Sequence, residues 1–224
     1  MIKILLKKLR NIILGDFRSK RLANLVIKKI IKYNKKKNIK ILDYGSGFQP
    51  VLIFIIYEKL TKIYKKNIII DCYDFYSFKQ LSKLNSHKKL NINFKKISLA
   101  KRNQTKYDFA LVNDVIHHMG IQNEKLIINL LNDLLTKSKI VFVKDHFQQG
   151  FFSNTIIRIM DFLGNYFNDV SIPTTYYSKK SFENLIKKTD GKIIEKIFEI
   201  KLYPDYLPLV SNPKFNFAYL IKRK

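Results

Sequence analysis

Two of the chain's seven glycines lie in one short turn at residues 41–50, Ile-Leu-Asp-Tyr-Gly-Ser-Gly-Phe-Gln-Pro. The turn follows Ile39, Ile41 and Leu42, an apolar run that is typical of a buried parallel strand. Glycine has no Cβ, so it lets the backbone pass close to a ligand and adopt the positive φ of tight turns. A helix after this turn would direct its free N–H groups at the same crevice. The pattern therefore predicts a nucleotide-type ligand site at the edge of a doubly wound sheet.

Strand and helix patterns alternate after this turn, which predicts an α/β fold. We expect a Rossmann-like, doubly wound, mostly parallel seven-stranded sheet with helices on both faces. The predicted strands are 39–44, 67–73, 91–97, 109–113, 139–144, 192–201 and 215–222. The predicted helices are 51–64, 77–85, 123–135, 154–163 and 180–188. Residues 38–224 are predicted to form one domain, with an insertion at 147–175 that serves as a lid above the sheet.

The N-terminal residues 1–37 are predicted to form a basic amphipathic helical extension. Residues 1–40 carry 11 Lys and 3 Arg against one Asp, a charge of +13 out of the total of +26. A basic amphipathic helix can lie on an anionic membrane or cover a hydrophobic substrate. It can also simply pack against the domain as an extra helix, and the sequence leaves these alternatives open.

The excess of positive charge also bears on nucleic-acid binding. Lys outnumbers Arg by 37 to 6, and lysine lacks the bidentate fork that reads bases. Abundant Lys, Ile, Asn, Tyr and Phe share AT-rich codons, so coding bias competes with nucleic-acid binding as the cause.

The single cysteine, Cys72, excludes an internal disulfide and a cysteine-based zinc site. The longest apolar run, 51–57, is too short to cross a bilayer. We expect a cytoplasmic protein, with peripheral membrane contact left open.

A second motif decides between nucleotide-type ligands. The glycine turn has Pro50 where the dinucleotide fingerprint has its third glycine. Residues 108–119 read Asp-Phe-Ala-Leu-Val-Asn-Asp-Val-Ile-His-His-Met. Together the two motifs resemble the class I S-adenosylmethionine-dependent methyltransferases, in the group that includes quinone-biosynthesis and other small-molecule enzymes. The resemblance covers residues 38–222. It implies S-adenosyl-L-methionine as cofactor and a small or lipid-like acceptor, methylated at O or C.

The resemblance also implies which residues hold the cofactor. They are Asp43, Gly45, Ser46, Gly47, Asp74, Ser98 and Asn113. Asp74, at the end of the second strand, would accept hydrogen bonds from the ribose hydroxyls, with Asp71 as the alternative inside the strand. Ser98 stands where the family has an acidic residue near the adenine. Asn113 would line the methionine end.

Two histidine–aspartate pairs are the catalytic candidates. By the resemblance, Asp114 and His117 border the transfer site, while Asp145 and His146 end the fifth strand. A histidine held by a carboxylate can remove a proton from a substrate near neutral pH. We take His146 or His117 as the base and Asp114 or Asp145 as the residue that orients it. No metal site is expected, because neighbouring histidines point apart.

Three other functions are weighed against this one. An RNA methyltransferase would use the basic N-terminal arm, although the Asn/Asp-Pro-Pro-aromatic motif of base-amino methylation is missing. A non-catalytic member of the fold would bind a membrane or a protein. The Tyr-x-x-x-Lys pattern at Tyr176 and Lys180 is that of short-chain dehydrogenases, but it follows the fifth strand rather than preceding it.

Overall fold

The computed structural model describes most of the chain. The described residues are 17–36, 38–47, 50–64, 67–85, 90–102, 104–165, 173, 175–206 and 211–224. Of the predicted N-terminal extension, residues 1–16 and 37 lie outside this part, and so do residues 166–172 and 174 of the predicted lid.

Seven strands form one sheet. They are β1 (Ile39–Tyr44), β2 (Ile68–Asp74), β3 (Ile92–Lys96), β4 (Tyr107–Asn113), β5 (Ser138–His146), β6 (Gly191–Phe198) and β7 (Asn216–Arg223). The order is β3-β2-β1-β4-β5-β7-β6. Strands β1 to β5 pair in parallel, whereas β7 runs antiparallel to both β5 and β6. The predicted seven-stranded α/β sheet is confirmed, and it is a mixed sheet with an antiparallel β6–β7 hairpin. The strand order reverses beside β1, the place where open α/β sheets bind ligands.

Helices cover both faces of this sheet. They are α1 (Phe17–Tyr33), α2 (Val51–Tyr64), α3 (Phe78–Asn85), α4 (Ile116–Met119), α5 (Glu124–Lys137), α6 (Phe151–Asn165) and α7 (Lys179–Lys187). Successive strand residues point to opposite faces. Ile41 accordingly packs in the core with α1 and α2, and Leu42 packs in a second core with α5 and α7.

Helix α1 belongs to the domain core. It buries Leu22, Ala23, Val26, Ile27 and Ile30, so residues 17–33 pack as an extra helix, one of the alternatives left open above. Its far end is fixed by the side chain of Glu195, which accepts hydrogen bonds from Lys29 Nζ at 2.7 Å and Tyr33 OH at 3.0 Å.

None of the described helices is both long and apolar enough to cross a membrane.

Candidate functional site

The glycine turn (Gly45, Ser46 and Gly47) leaves β1 at the carboxyl edge of the sheet. Both glycines have positive φ, 80° at Gly45 and 74° at Gly47. Gly45 N donates to the carbonyl of Tyr73 at 2.8 Å, and Gly47 N donates to Asp74 Oδ2 at 2.6 Å. The turn and the Asp74 carboxylate are thereby held together at the ends of two neighbouring strands.

The two glycines have different surroundings. A Cβ on Gly45 would lie 2.3 Å from Val115 Cγ2, whereas a Cβ on Gly47 would meet nothing within 4 Å. Gly45 is therefore required for close packing of the turn against the segment after β4. Gly47 faces open space, as a residue that lets a ligand approach the backbone would.

This difference gives a prediction for two matched variants. Gly45→Ala should lower the free energy of unfolding by about 2–5 kcal/mol, because it combines a strained positive φ with a steric clash. Gly47→Ala should cost only about 1–2 kcal/mol, because the backbone strain acts alone. Urea unfolding of both variants measures the two values. Equal losses would mean that Val115 moves aside without cost.

Asp43, just before this turn, is a buried acid. Burial, and then the nearby carboxylate of Asp74, raise its pKa to about 8. Among the described residues, no Lys, Arg or His forms an ion pair with it. A cationic ligand group beside Asp43 would supply the missing counter-charge.

The raised pKa predicts a pH-dependent stability. Because the folded-state pKa of about 8 exceeds the ordinary value of 3.8, the folded protein holds an extra proton between these pH values. The contribution of Asp43 is therefore favourable at low pH and is lost as pH rises toward about 8. Asp43→Asn should remove this slope, so that its stability relative to the original protein increases with pH. Urea unfolding of the ligand-free proteins at acidic, neutral and alkaline pH measures this, and a constant difference would contradict it.

The other cofactor candidates follow the same edge. Asn113 ends β4, and both polar atoms of its side chain are buried without a hydrogen-bond partner. Such atoms are costly unless a ligand or water satisfies them. Ser98 is exposed on the 3₁₀ turn Ile97–Leu99, directly after β3. All seven candidates thus lie at the carboxyl ends of the adjacent strands β3, β2, β1 and β4.

Asp114 is the centre of one charge cluster, the Asp114 cluster (Arg18, Asp114, Lys144 and His146), in which Lys144 and His146 are buried and Arg18 and Asp114 are partly buried. Its Oδ1 lies 2.5 Å from Lys144 Nζ and 3.3 Å from His146 Nε2, and its Oδ2 contacts the Arg18 guanidinium from α1. Asp114 has a positive φ of 54°, which these contacts hold in place. Burial alone would raise the pKa of Asp114, but Arg18 and Lys144 outweigh it and hold the pKa well below its usual range.

His146 has a protein oxygen beside each ring nitrogen, and a neutral ring can donate a hydrogen bond to only one of them. Besides the contact of Nε2 with Asp114, its Nδ1 lies 3.3 Å from the carbonyl oxygen of Phe215. Burial, and then the Lys144 ammonium, lower the pKa of His146 to about 3. The ring is therefore neutral at physiological pH.

A second group, the His117 cluster (His117, Asp145, Asp161 and Tyr176), lies beside the first. His117 Nδ1 contacts Asp145 Oδ1, and the backbone N–H of His117 donates to Asp145 Oδ2 at 3.2 Å. This carboxylate favours the tautomer with hydrogen on Nδ1, which leaves the lone pair on Nε2. Nε2 is buried without a hydrogen-bond partner and lies 3.7 Å from Asp161 Oδ2. Asp161 in turn accepts a hydrogen bond from Tyr176 OH at 2.7 Å.

His117 is more easily protonated than a free histidine, because of the charges around it. Burial lowers its pKa, but the Asp145 carboxylate, followed by Asp161 and Asp114, outweighs burial and raises it. The four predicted catalytic residues meet in one place, because the ring centroids of His117 and His146 are 5.5 Å apart. The structure pairs His117 with Asp145 and His146 with Asp114.

Three residues of these clusters were not among the predicted site residues: Arg18, Asp161 and Tyr176. Tyr176 was noted only as part of the dehydrogenase pattern. Arginine is rare in this chain, with 6 Arg against 37 Lys, and Arg18 and Arg21 stand almost one helical turn apart. Arg21 Nη1 donates to the carbonyl of Tyr203 at 2.7 Å. The use of arginine at two such positions was a signal that a fork-shaped donor is required.

Three possible metal ligands also meet here. Ligand atoms of Asp114, His117 and Asp145 lie within 4.8 Å of one another. Asp114 already contacts two cations, Arg18 and Lys144. A divalent ion at this point would be repelled by both of them.

The comparisons with known proteins address the fold. The sequence matches no protein-family model and no curated protein, but solved structures match most of the chain. A mitomycin 7-O-methyltransferase has a TM-score of 0.63 at 12% identity, covering 93% of this chain and 54% of its own. An S-adenosylmethionine-dependent methyltransferase from Clostridium acetobutylicum has a TM-score of 0.61 at 14% identity, covering 91% of both chains.

A third match is the 1,6-didemethyltoxoflavin-N1-methyltransferase of Burkholderia thailandensis, with a TM-score of 0.58 at 10% identity, covering 92% of this chain and 78% of that one. Its structure holds S-adenosylhomocysteine. The present chain spans about half the length of the mitomycin enzyme. The described chain has the fold of the class I S-adenosylmethionine-dependent methyltransferases.

Proposed function

We propose that this protein is an S-adenosylmethionine-dependent methyltransferase that acts on a small or lipid-like acceptor, at O or C. One observation carries the proposal: residues 113–117 join two sites. Val115 packs against the glycine turn at Gly45, and Asn113 has unsatisfied polar atoms. His117, two residues beyond Val115, has a buried ring nitrogen that makes no hydrogen bond. In this proposal, a single short segment would border both the cofactor and the group that accepts the proton.

The residues of the cradle fit S-adenosylmethionine. The Asp74 carboxylate, which now accepts from Gly47 N, would bind the ribose hydroxyls, and Ser98 would lie toward the adenine. The amide of Asn113 would meet the polar methionine end, and the unpaired acid Asp43 favours the positive charge of the ligand. When bound, S-adenosylmethionine supplies an electrophilic methyl group. Holding the acceptor in line with that methyl group would itself be worth roughly 7–11 kcal/mol.

His117 is the base that the geometry favours. Each ring nitrogen of His146 lies 3.3 Å from a protein oxygen, whereas Nε2 of His117 makes no hydrogen bond and has its nearest carboxylate oxygen, Asp161 Oδ2, at 3.7 Å. Asp145 would orient the His117 ring and stabilise the imidazolium after proton transfer. Asp161 and Tyr176 border Nε2 and would help to place the acceptor hydroxyl or carbon acid. Asp114 would position residues 113–117 through its contacts with Arg18 and Lys144.

A labelling experiment tests this function. S-adenosylmethionine with a tritiated methyl group would be incubated with the purified protein and separate lipid, small-molecule, RNA and protein fractions. The proposal predicts label in the lipid or small-molecule fraction. Label in RNA alone, with a steep dependence on salt, would instead support the RNA methyltransferase. Absence of label from all fractions would contradict both.

We also propose a cytoplasmic location with peripheral membrane contact by the N-terminal extension, residues 1–37. Five apolar residues of α1 are buried in the core, and only Phe17 and Ile31 of this helix are large, apolar and exposed, so most of this contact would fall to residues 1–16. Their sequence alternates apolar residues such as Leu5, Leu6 and Leu9 with lysines, a composition that suits an anionic surface.

A further inference from the structure

Helix α6 has two contrasting faces. Its inner face buries Ile157 and Asp161, and Asp161 belongs to the His117 cluster. Its outer face exposes Phe151 to 90%, Phe152 to 73% and Ile159 to 53%. Exposed phenylalanines of this size are unfavourable in water, at roughly 25 cal/mol for each Å² of apolar surface.

The exposed residues lie on one side of the helix. At 100° per residue, Phe151, Phe152, Thr155, Arg158 and Ile159 fall within an arc of about 120°. We call these five residues the outer face of α6. Phe151, Phe152 and Ile159 share this side with the small residue Thr155, as in a helix that lies in an interface.

The charges around this face are positive. Arg158 belongs to it and is exposed, and exposed Lys214 lies next to the start of the helix, where its carbonyl accepts from Gln149 Nε2 at 3.0 Å. The one acidic residue of α6, Asp161, is buried on the inner side. The chain as a whole carries +26, so two copies would repel each other if they met through this face.

We propose that the outer face of α6 binds the surface of an anionic lipid bilayer. The phenylalanines would insert at the level of the headgroups, while Arg158 and Lys214 would contact the lipid phosphates. This surface consists of described residues and includes none of residues 1–16. Its binding does not depend on methyl transfer, because none of its five residues belongs to the cradle or to the two charge clusters.

The absence of tryptophan from the chain allows a direct test in the full-length protein. Phe151→Trp would place a single indole on the outer face of α6. We expect its fluorescence to shift to shorter wavelength with phosphatidylcholine vesicles that contain phosphatidylglycerol, and to be quenched when the lipids are brominated. Vesicles of phosphatidylcholine alone should bind the protein at least about tenfold more weakly.

Matched controls come from another exposed aromatic pair, Phe75 at 77% and Phe78 at 82% exposure. Phe75→Trp should show no shift. Phe151→Ser with Phe152→Ser should weaken vesicle binding at least about tenfold, whereas Phe75→Ser with Phe78→Ser should change it less than about twofold. The proposal is overturned if both double variants bind vesicles equally, or if Phe151→Trp shifts only on protein self-association in sedimentation.

Discussion

Replacement of Asp114 by alanine is expected to lower the free energy of unfolding by about 3–5 kcal/mol, a large part of the stability of a typical domain. The reason is charge burial. Lys144 has no exposed side-chain surface and its ammonium lies 2.5 Å from Asp114, and Arg18 contacts the same carboxylate. Without Asp114, the buried Lys144 ammonium would lose the carboxylate next to it, and the Arg18 guanidinium, whose side chain is 33% exposed, would lose the same partner. Urea unfolding at neutral pH measures the loss.

Two controls separate this effect from the general cost of a mutation. Asp205→Ala breaks the exposed pair of Lys201 and Asp205, in which Asp205 is 73% exposed, and should cost only about 0.2–1 kcal/mol. Adding Lys144→Met to Asp114→Ala should restore part of the stability, because it removes one stranded charge. A loss below about 1 kcal/mol for Asp114→Ala would show that water reaches the Lys144 ammonium.

Replacement of His117 by alanine is expected to slow single-turnover methyl transfer by about 10²–10⁴-fold, the usual contribution of a general base. His117 is the histidine whose Nε2 is buried without a partner while Asp145 holds Nδ1. Since Asp145 raises the pKa of His117, the rate should increase with pH through a value above that of free histidine. Asp145→Asn should lower this apparent pKa as well as the rate. The measurement is the pH profile of single-turnover transfer to the acceptor that the labelling experiment identifies.

Cofactor binding by the same variants shows whether a slower methyl transfer comes from damage to the fold. His117→Ala should bind S-adenosylhomocysteine with an affinity within about threefold of the original, because His117 is assigned to the acceptor. An unchanged rate in His117→Ala would remove this residue from the mechanism and leave His146 as the candidate. An unchanged pH profile in Asp145→Asn would mean that the contact between His117 and Asp145 supports the structure and does not set the apparent pKa of the reaction.

The local elements were accessible from sequence because their signals are local. Strand β1 and helix α2 have the predicted bounds, since Gly45, Gly47 and Pro50 mark the turn between them. The pairing of β7 between β5 and β6 was not predictable in this way, because it joins residues far apart in the chain. The sheet was therefore correctly expected as mostly parallel, without its hairpin being identified.

Some features of the candidate site were likewise predictable from the sequence, and others were not. Strand ends placed Asp43, Asp74 and Asn113 along one edge, as parallel strands require. Which histidine pairs with which aspartate depends on side-chain geometry between α4 and β5, and the sequence left both pairings open. Arg18 lies 96 residues from Asp114, so no periodicity connects them.

Titration calorimetry with S-adenosylhomocysteine tests the central claim, a cofactor cradle at the glycine turn, without any knowledge of the acceptor. We expect saturable one-to-one binding in the micromolar range. Asp74→Ala removes the carboxylate assigned to the ribose and should weaken this binding at least about tenfold. Asp205→Ala, on an exposed pair, should bind as the original protein does. No heat of binding at high micromolar ligand, or equal affinity in Asp74→Ala, would contradict a cofactor cradle at the glycine turn.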